Sequence, residues 1–455
     1  MSLKKRLFNN GLAYILQKGV RVLEQLFLVP FFISAWGAAY YGEWLTLTII
    51  PSVIAFSDLG FGTSAANSFV LSYAAGDKKK AADINKTGMY IITIMVLIAI
   101  FISVVTIFSL NYFNVFDKSL INSDDAIIAV SVLITAYLLN FYNQLIESYF
   151  RAAQKAALSI NLLTIKASAN LGVGLFVLLL DYGVVAFAFS QLAVAVIFNG
   201  CYWILGKQAL GLFKTHRGQK DKYILRDITR KGLGYLMFPA WQAIYFQGTT
   251  FAVRIILGPE AVAVFNTVRT LSRSVNQLLN IVSSSIFPEL QYEIGEGNIE
   301  KAQKIYRFSI VSSFIIAFIG VIFLAIFGLW FYEIWTHNEL HVPQLMWYIF
   351  VLGILFHAFW WSSEPVFRAK NEPYKFAVAG ISSASLSVLL TFIFSKYFGL
   401  TGAAMGALAL DVMMAIIIMP LSATMLNLKL KDILSHAFSD MQQLYVNVKS
   451  KFKLS

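Results

Sequence analysis

The sequence predicts an all-α polytopic membrane protein: twelve transmembrane helices in two six-helix bundles related by a pseudo-two-fold axis along the membrane normal. Three observations predict it. Apolar runs of spanning length recur along the whole chain, basic residues gather on one side of those runs, and the second half repeats the first. Composition agrees: 58% of the 455 residues are hydrophobic and 13% charged, with a mean hydropathy of +0.68. A soluble domain is about half apolar and about a quarter charged. Too few polar side chains remain to coat a water-facing surface, so lipid must meet the rest.

A crossing needs about 20 mostly apolar residues. The first, at 12–33, follows Lys4-Lys5-Arg6 in the manner of a signal peptide. It carries Arg21 and Glu24 and lacks a small-residue cleavage site, so it reads as a retained helix. The second, at 44–74, is too long for one straight crossing, and Pro51 and Gly60-Phe61-Gly62 mark bends in it. Runs at 88–110, 126–150, 158–180 and 184–206 complete the first six. The second six lie at 232–257, 259–292 (again long), 305–330, 343–367, 374–395 and 402–426. The chain thus divides into a bundle at 1–206, a basic linker at 207–231, a bundle at 232–426 and a basic tail at 427–455.

Charge sets the orientation. Of 36 Lys and Arg, 28 fall on the side of the N-terminus, including Lys78, Lys79, Lys80, Lys86, eight in the linker and five in the tail. The opposite side has Lys118 and Lys396 beside Asp117, Asp124 and Asp125. The positive-inside rule then places both termini, the linker and the tail in the cytoplasm. The net charge of +12 is dispersed over these loops and forms no nucleic-acid face. The single Cys201, inside an apolar run, excludes a disulfide framework within the chain.

Gly11-Leu12-x-Tyr14 recurs as Gly232-Leu233-x-Tyr235, Gly37 as Gly258 and Lys80-Ala81 as Lys301-Ala302, all 221 positions apart. Glu147 through Ala152 recurs as Glu364 through Ala369 at 217. With six crossings per half, both halves start on the same face and are parallel repeats, with a substrate path expected between them.

Six basic residues remain inside the spans: Lys18, Arg21, Lys166, Arg254, Arg269 and Arg273. The acids there are Glu24, Asp58 and Asp411. Charges at such depth face a bundle interior or a wet cavity. Helical spacing agrees, because Asn266, Arg269, Arg273, Asn276 and Asn280 share one face, as do Tyr14, Gln17, Arg21 and Gln25. The fourth span aligns Asn140, Asn143, Gln144, Glu147 and Arg151, and the tenth His357, Trp360, Trp361, Glu364 and Arg368. Together they predict a hydrated cationic cavity. Plainer roles compete at several positions: Arg21 with Glu24 as an intrahelical pair, Lys18 and Arg254 snorkelling, His357 as packing, and the two Glu–Arg pairs as structural. Arg269 and Arg273 fit a plain role least, since like charges one turn apart repel and no acid shares their stripe. Either an anionic cargo or Asp58, Asp411 or Glu24 from another helix must answer them. No phosphate-binding loop, His/Cys metal cluster or catalytic constellation is present, so neither enzyme activity, cofactor nor metal is expected.

The stretch Trp36-Gly37 through Tyr40-Tyr41-Gly42, with Phe56-Ser57-Asp58-Leu59-Gly60-Phe61-Gly62 and Phe150-Arg151-Ala152, resembles Wzx-type polysaccharide flippases. These belong to the multidrug/oligosaccharidyl-lipid/polysaccharide exporter (MOP) superfamily. The second half departs from the pattern, with Leu279 where the repeat would place Asp58. The resemblance implies a V-shaped pair of bundles in the bacterial inner membrane. It implies transfer of an undecaprenyl-pyrophosphate-linked oligosaccharide to the periplasmic leaflet, for O-antigen, lipopolysaccharide or capsule-like polysaccharide, by alternating access. A proton or sodium gradient would drive it, with polysaccharide polymerase and chain-length proteins as partners. On this reading Arg269, Arg273, Arg21, Lys166 and Arg254 bind cargo, and Asp58, Asp411 and Glu24 couple or gate. A drug or organic-cation antiporter of the same superfamily is the alternative and would favour an acidic cavity. A membrane-embedded glycosyl-transferring enzyme would need a larger outer loop than the short ones here.

Overall fold

The computed structural model describes residues 3–55, 60–113, 120–336 and 340–430. Asp58, Lys118 and most of the basic tail lie outside the described residues. Those described form helices and turns. The first six crossings are α1 (Leu3–Trp36), α2 (Ala38–Ala55) with α3 (Phe61–Ala74), α4 (Lys78–Tyr112), α5 (Ser123–Leu139) with α6 (Asn143–Ala152), α7 (Ala156–Leu179) and α8 (Val184–Leu210). The second six are α9 (Lys222–Leu257), α10 (Pro259–Ser272) with α11 (Asn276–Glu296), α12 (Ile299–Trp335), α13 (Gln344–Trp361) with α14 (Glu364–Ala369), and two crossings within α15 (Pro373–Met425).

Seven helical stretches among the described residues are long and apolar enough to cross a membrane. One of them, the 53-residue α15, turns at Gly399 with φ 58° and ψ −139°. That backbone region is essentially reserved to glycine. The remaining crossings include α1, α9 and α10–α11, which carry the charges Lys18, Arg21, Glu24, Arg254, Arg269 and Arg273.

The chain separates into two compact units, Met1–Leu233 and Gly234–Ser455, each around its own hydrophobic core. In the first, α1 packs on α7, α5 on α8, and α3 on both α4 and α6. In the second, α13 packs on α15, and α11 on α12 and α14. Both units break their helices at equivalent places. Gly37 and Gly258 have φ of 77° and 87°, and Gly76 and Gly297 of 84° and 81°, each pair 221 positions apart. Gln154 and Asn371 have φ of 57° and 56°, 217 apart. Asp77 caps α4 by accepting the Lys80 N–H at 2.9 Å, and its counterpart Asn298 caps α12 by accepting that of Lys301 at 3.3 Å. These caps satisfy amides that a helix start leaves unpaired.

The lipid faces repeat as well. Leu97, Phe101, Val104 and Phe108 form an exposed apolar stripe on α4, and Ile319, Phe323, Ile326 and Trp330 its counterpart on α12. Steps of four, three and four keep each stripe on one helical face, and hydrocarbon is the solvent such a face fits.

Helix claims both ends of the 207–231 segment, leaving 211–221 as the connection. Gly211, at φ 70°, ends α8, and Asp221 starts α9 by accepting the Tyr223 and Ile224 amides at 2.7 and 2.9 Å. The connection lies against α4: Lys79 donates to the Arg217 carbonyl at 3.0 Å, and the Gln219 amide donates to Asp83 at 2.7 Å.

The two arms of α15 meet closely at Gly406, where a Cβ would lie 2.3 Å from the Thr391 backbone. Gly406→Ala is expected to destabilise the second unit by about 1–3 kcal/mol through overpacking. Gly200→Ala, which would meet nothing within 4 Å, should leave the detergent melting temperature unchanged. Equal melting of the two variants would refute the close contact.

Candidate functional site

In the second unit, α9, α10, α11, α13 and α15 bring Arg269, Arg273 and Asp411 together. A helix interior offers few hydrogen-bond acceptors, so a buried guanidinium needs side chains that supply them. Arg269 finds three: Thr249 Oγ1 at 2.8 Å, Thr250 Oγ1 at 3.0 Å and Asn266 Oδ1 at 2.5 Å. Both threonines donate their own protons to carbonyls one turn back, at 2.6 and 2.8 Å, which leaves their lone pairs for Arg269. The rings of Phe246 and Phe265 lie 5.1 and 5.0 Å from its charge. Arg269 is buried and held by neutral groups.

Arg273, one turn on, is held differently. Its guanidinium lies 3.8 Å from Asp411 Oδ2, its side chain is 21% exposed, and the Tyr245 and Phe246 rings flank it at 5.7 and 5.3 Å. At 3.8 Å the contact is ionic without being a hydrogen bond. Asp411 is buried, and its other oxygen, Oδ1, takes His357 Nδ1 at 2.9 Å and Trp360 Nε1 at 3.0 Å. Asp411, His357, Arg273 and Tyr245, with Asn276, Ile354 and Gly353, line a narrow, partly open cleft of about 10 Å³. Asn276 Oδ1 is buried there without a hydrogen-bond partner. The competing expectation, that Asp411 answers the arginine pair, therefore holds for Arg273 by charge, whereas Arg269 is satisfied by hydroxyl and amide oxygens.

In the first unit, Lys166 on α7 donates to Asn140 Oδ1, and its ammonium lies 4.9 Å from the Phe198 ring. Asn143 donates to the same oxygen at 3.1 Å. Arg21 is exposed and Glu24 half-buried one turn later on α1, within electrostatic range. Arg254 is exposed in the last turn of α9. The i,i+4 pairs are formed, Glu147 with Arg151 at 3.8 Å and Glu364 with Arg368 at 2.6 Å. Arg151 also donates to Asn67 at 3.1 Å.

No family model matches the chain, and no curated protein matches it. Solved structures do. The crystal structure of a MATE point mutant matches with a TM-score of 0.76 at 17% identity, over 93% of this chain and 96% of that one. An outward-facing multidrug resistance MATE family transporter of the MOP superfamily matches at 0.73 and 18%, over the same shares. A MOP superfamily transporter from Pyrococcus furiosus Vc1 (DSM3638), whose reverse binding-pocket polarity is said to suggest a different function, matches at 0.72 and 17%, again over 93% and 96%. The chain has the MOP transporter fold. This fold has twelve helices in two bundles, and the matched proteins are transporters rather than enzymes.

Within the MOP fold, the site draws on residues the sequence patterns left out. Asn276, His357 and Trp360 lie on the expected stripes, but Tyr245, Thr249 and Thr250 on α9 do not. Tyr245 and Thr249 are one turn apart, and hydroxyls at that spacing in an apolar helix were the available signal.

Thr249→Val removes one acceptor from a buried guanidinium, a change expected to cost about 1–3 kcal/mol, toward the upper end because the orphaned donor is charged. The control is Thr424→Val, whose hydroxyl bonds carbonyls of its own helix on an exposed turn. Melting of the purified variants in detergent compares them; equal melting would show that Arg269 does not depend on Thr249.

Proposed function

We propose that this chain is a flippase for an undecaprenyl-pyrophosphate-linked oligosaccharide, moving it from the cytoplasmic to the periplasmic leaflet by alternating access. The observation that carries this reading is Arg273. An intramembrane guanidinium stands on the wall of a cleft with a carboxylate at 3.8 Å rather than in a bonded fork, beside the orphaned Asn276 oxygen. Its planar donors suit the oxygens of a pyrophosphate, and an orphaned acceptor suits a sugar hydroxyl. Arg269, whose two terminal nitrogens are turned to Thr249, Thr250 and Asn266, raises the positive potential. Lys166, Arg21 and Arg254 are further cargo contacts. The Pyrococcus furiosus neighbour supports the premise that pocket polarity and function vary together on this fold. On this reading the protein is a multi-pass inner-membrane component of O-antigen, lipopolysaccharide or capsule-like polysaccharide synthesis, with polymerase and chain-length proteins downstream. Proton or sodium coupling falls to Asp411, Glu24 or Asp58.

A second reading has support of its own. A matched structure is named a multidrug resistance transporter, and Asp411 puts a carboxylate in the same cleft. An organic-cation antiporter would use Asp411 as its binding anion.

Arg273 decides between them. In cells depending on this chain for surface glycan, Arg273→Ala should reach the membrane at normal level and lose more than 90% of export, about 1.4 kcal/mol or more of binding, with Arg273→Lys partly active. Normal export by Arg273→Ala together with loss of cation efflux would establish the antiporter instead.

Orientation is tested separately. A reporter active only outside the cytoplasm should work when inserted near Asn122 and fail near Gly218. Activity at Gly218 would invert the proposed topology.

A further inference from the structure

Asp411 is gripped from one side and only touched from the other. His357 and Trp360 converge on Oδ1 at 2.9 and 3.0 Å, while Oδ2 faces Arg273 across 3.8 Å. A carboxylate accepts hydrogen bonds, so His357 Nδ1 carries the proton in that contact, and the imidazole's other nitrogen is the one open to a second proton. The His357 ring stacks on Trp361, with centroids 5.3 Å apart and planes within 17°, which fixes its plane against the carboxylate. The charged and titratable side chains near Asp411 are His357 from α13, Arg273 from the turn between α10 and α11, and Tyr245 from α9 with Arg269 behind it. The rest of the cleft wall near the carboxylate includes Ile349, Phe350 and Ile354.

This arrangement closes electrically in one way at a time. With Arg273 turned to Asp411, a buried negative charge has a positive neighbour and His357 can stay neutral. When Arg273 turns to another anion, the carboxylate is left in an apolar wall, which is costly unless a second cation replaces the first. His357 is the group already in contact that can become one, by taking a proton on its free nitrogen while Nδ1–H stays on Oδ1.

We propose that Arg273 is shared between Asp411 and a phosphoryl anion bound in this cleft, and that His357 takes up one proton each time the anion claims it. Asp411 is then a built-in competitor and His357 the positioning residue that makes the exchange possible. The inference rests on the reading of Arg273 as the anion-binding group. The balance is simple: no covalent bond changes, one proton enters from solvent, and one ion pair is replaced by two. The sign follows from linkage. The complex holds one proton more than the free protein, so affinity rises as pH falls, by up to about tenfold per pH unit while His357 is neutral in the free protein and charged in the complex.

The test is titration calorimetry of the detergent-solubilised full chain with inorganic pyrophosphate, in two buffers of different ionisation enthalpy. This pair of buffers yields protons exchanged per binding event. Pyrophosphate's own protons cancel when wild type is compared with His357→Gln. Wild type should take up about one proton more than His357→Gln. Asp411→Asn should bind pyrophosphate about tenfold more tightly, with the proton uptake linked to His357 gone. Should Asp411→Asn fail to fold, the wild-type and His357→Gln proton counts decide alone. Binding that depends on Arg273, with equal proton counts in wild type and His357→Gln, would overturn the sharing while leaving the cargo reading intact. Pyrophosphate bound by Asp411→Asn but not by wild type would support the competition. Binding by neither, or binding that survives Arg273→Ala, would overturn this inference and the cargo role of Arg273 together.

Discussion

A charge inside a bilayer must be answered by the protein, because the solvent will not answer it. The second unit is organised around that demand. Arg269 is answered without an acid: three oxygens and two ring faces surround it. Its neighbour Arg273 meets fewer oxygens, the Tyr245 hydroxyl among them. Asp411, on a helix far away in sequence, supplies the opposite charge instead. The packing of α9, α10, α13 and α15 therefore has to be right to within a side-chain length. The fully buried Trp347, Trp360 and Tyr245 suit that role, being large rings with few rotamers.

The same backbone plan carries different chemistry in the two units. His357 and Trp360 sit 217 positions after Asn140 and Asn143, and Glu364 the same distance after Glu147. One unit thus places a histidine and an indole where the other places two carboxamides. In the second unit these hold a carboxylate; in the first, Asn140 accepts from the Lys166 ammonium and Asn143 donates to the same oxygen. Helix breaks and caps are shared, since any chain crossing at those places needs them. The Glu–Arg pairs at the ends of α6 and α14 are shared as well, whereas Arg269, Arg273 and Asp411 have no charged counterparts at those offsets.

That difference explains what was legible in the sequence. The crossings were, because hydrocarbon thickness fixes their length and glycines such as Gly37, Gly258 and Gly399 punctuate them. The polar stripes were too, because helical spacing is local. Arg269 and Arg273 were legible as a pair that needed answering. The answer was not. Nothing local links Arg273 to Asp411, and the choice between an acid and neutral oxygens depends on which way each guanidinium turns. Arg269 turns toward Thr249 and Thr250, residues that look like ordinary packing in a span. The resemblance around Trp36 and Gly60 pointed to the superfamily whose fold the chain adopts, without fixing the cargo.

The looseness of the Arg273–Asp411 contact is itself informative. Two groups that exist only to neutralise each other gain most from a short, forked pair at about 2.7–2.9 Å. Here the carboxylate is pulled the other way by two donors on Oδ1, and the guanidinium lies against the Tyr245 and Phe246 rings with the Tyr245 hydroxyl in reach. A charge so placed stays neutralised when the cleft is empty and remains able to leave when something better arrives. Tightening the pair would gain Coulomb energy only by drawing Oδ2 away from the position that the bonds to Oδ1 set. The intermediate separation is set from behind the carboxylate, where His357 and Trp360 hold Oδ1 on the side away from Arg273.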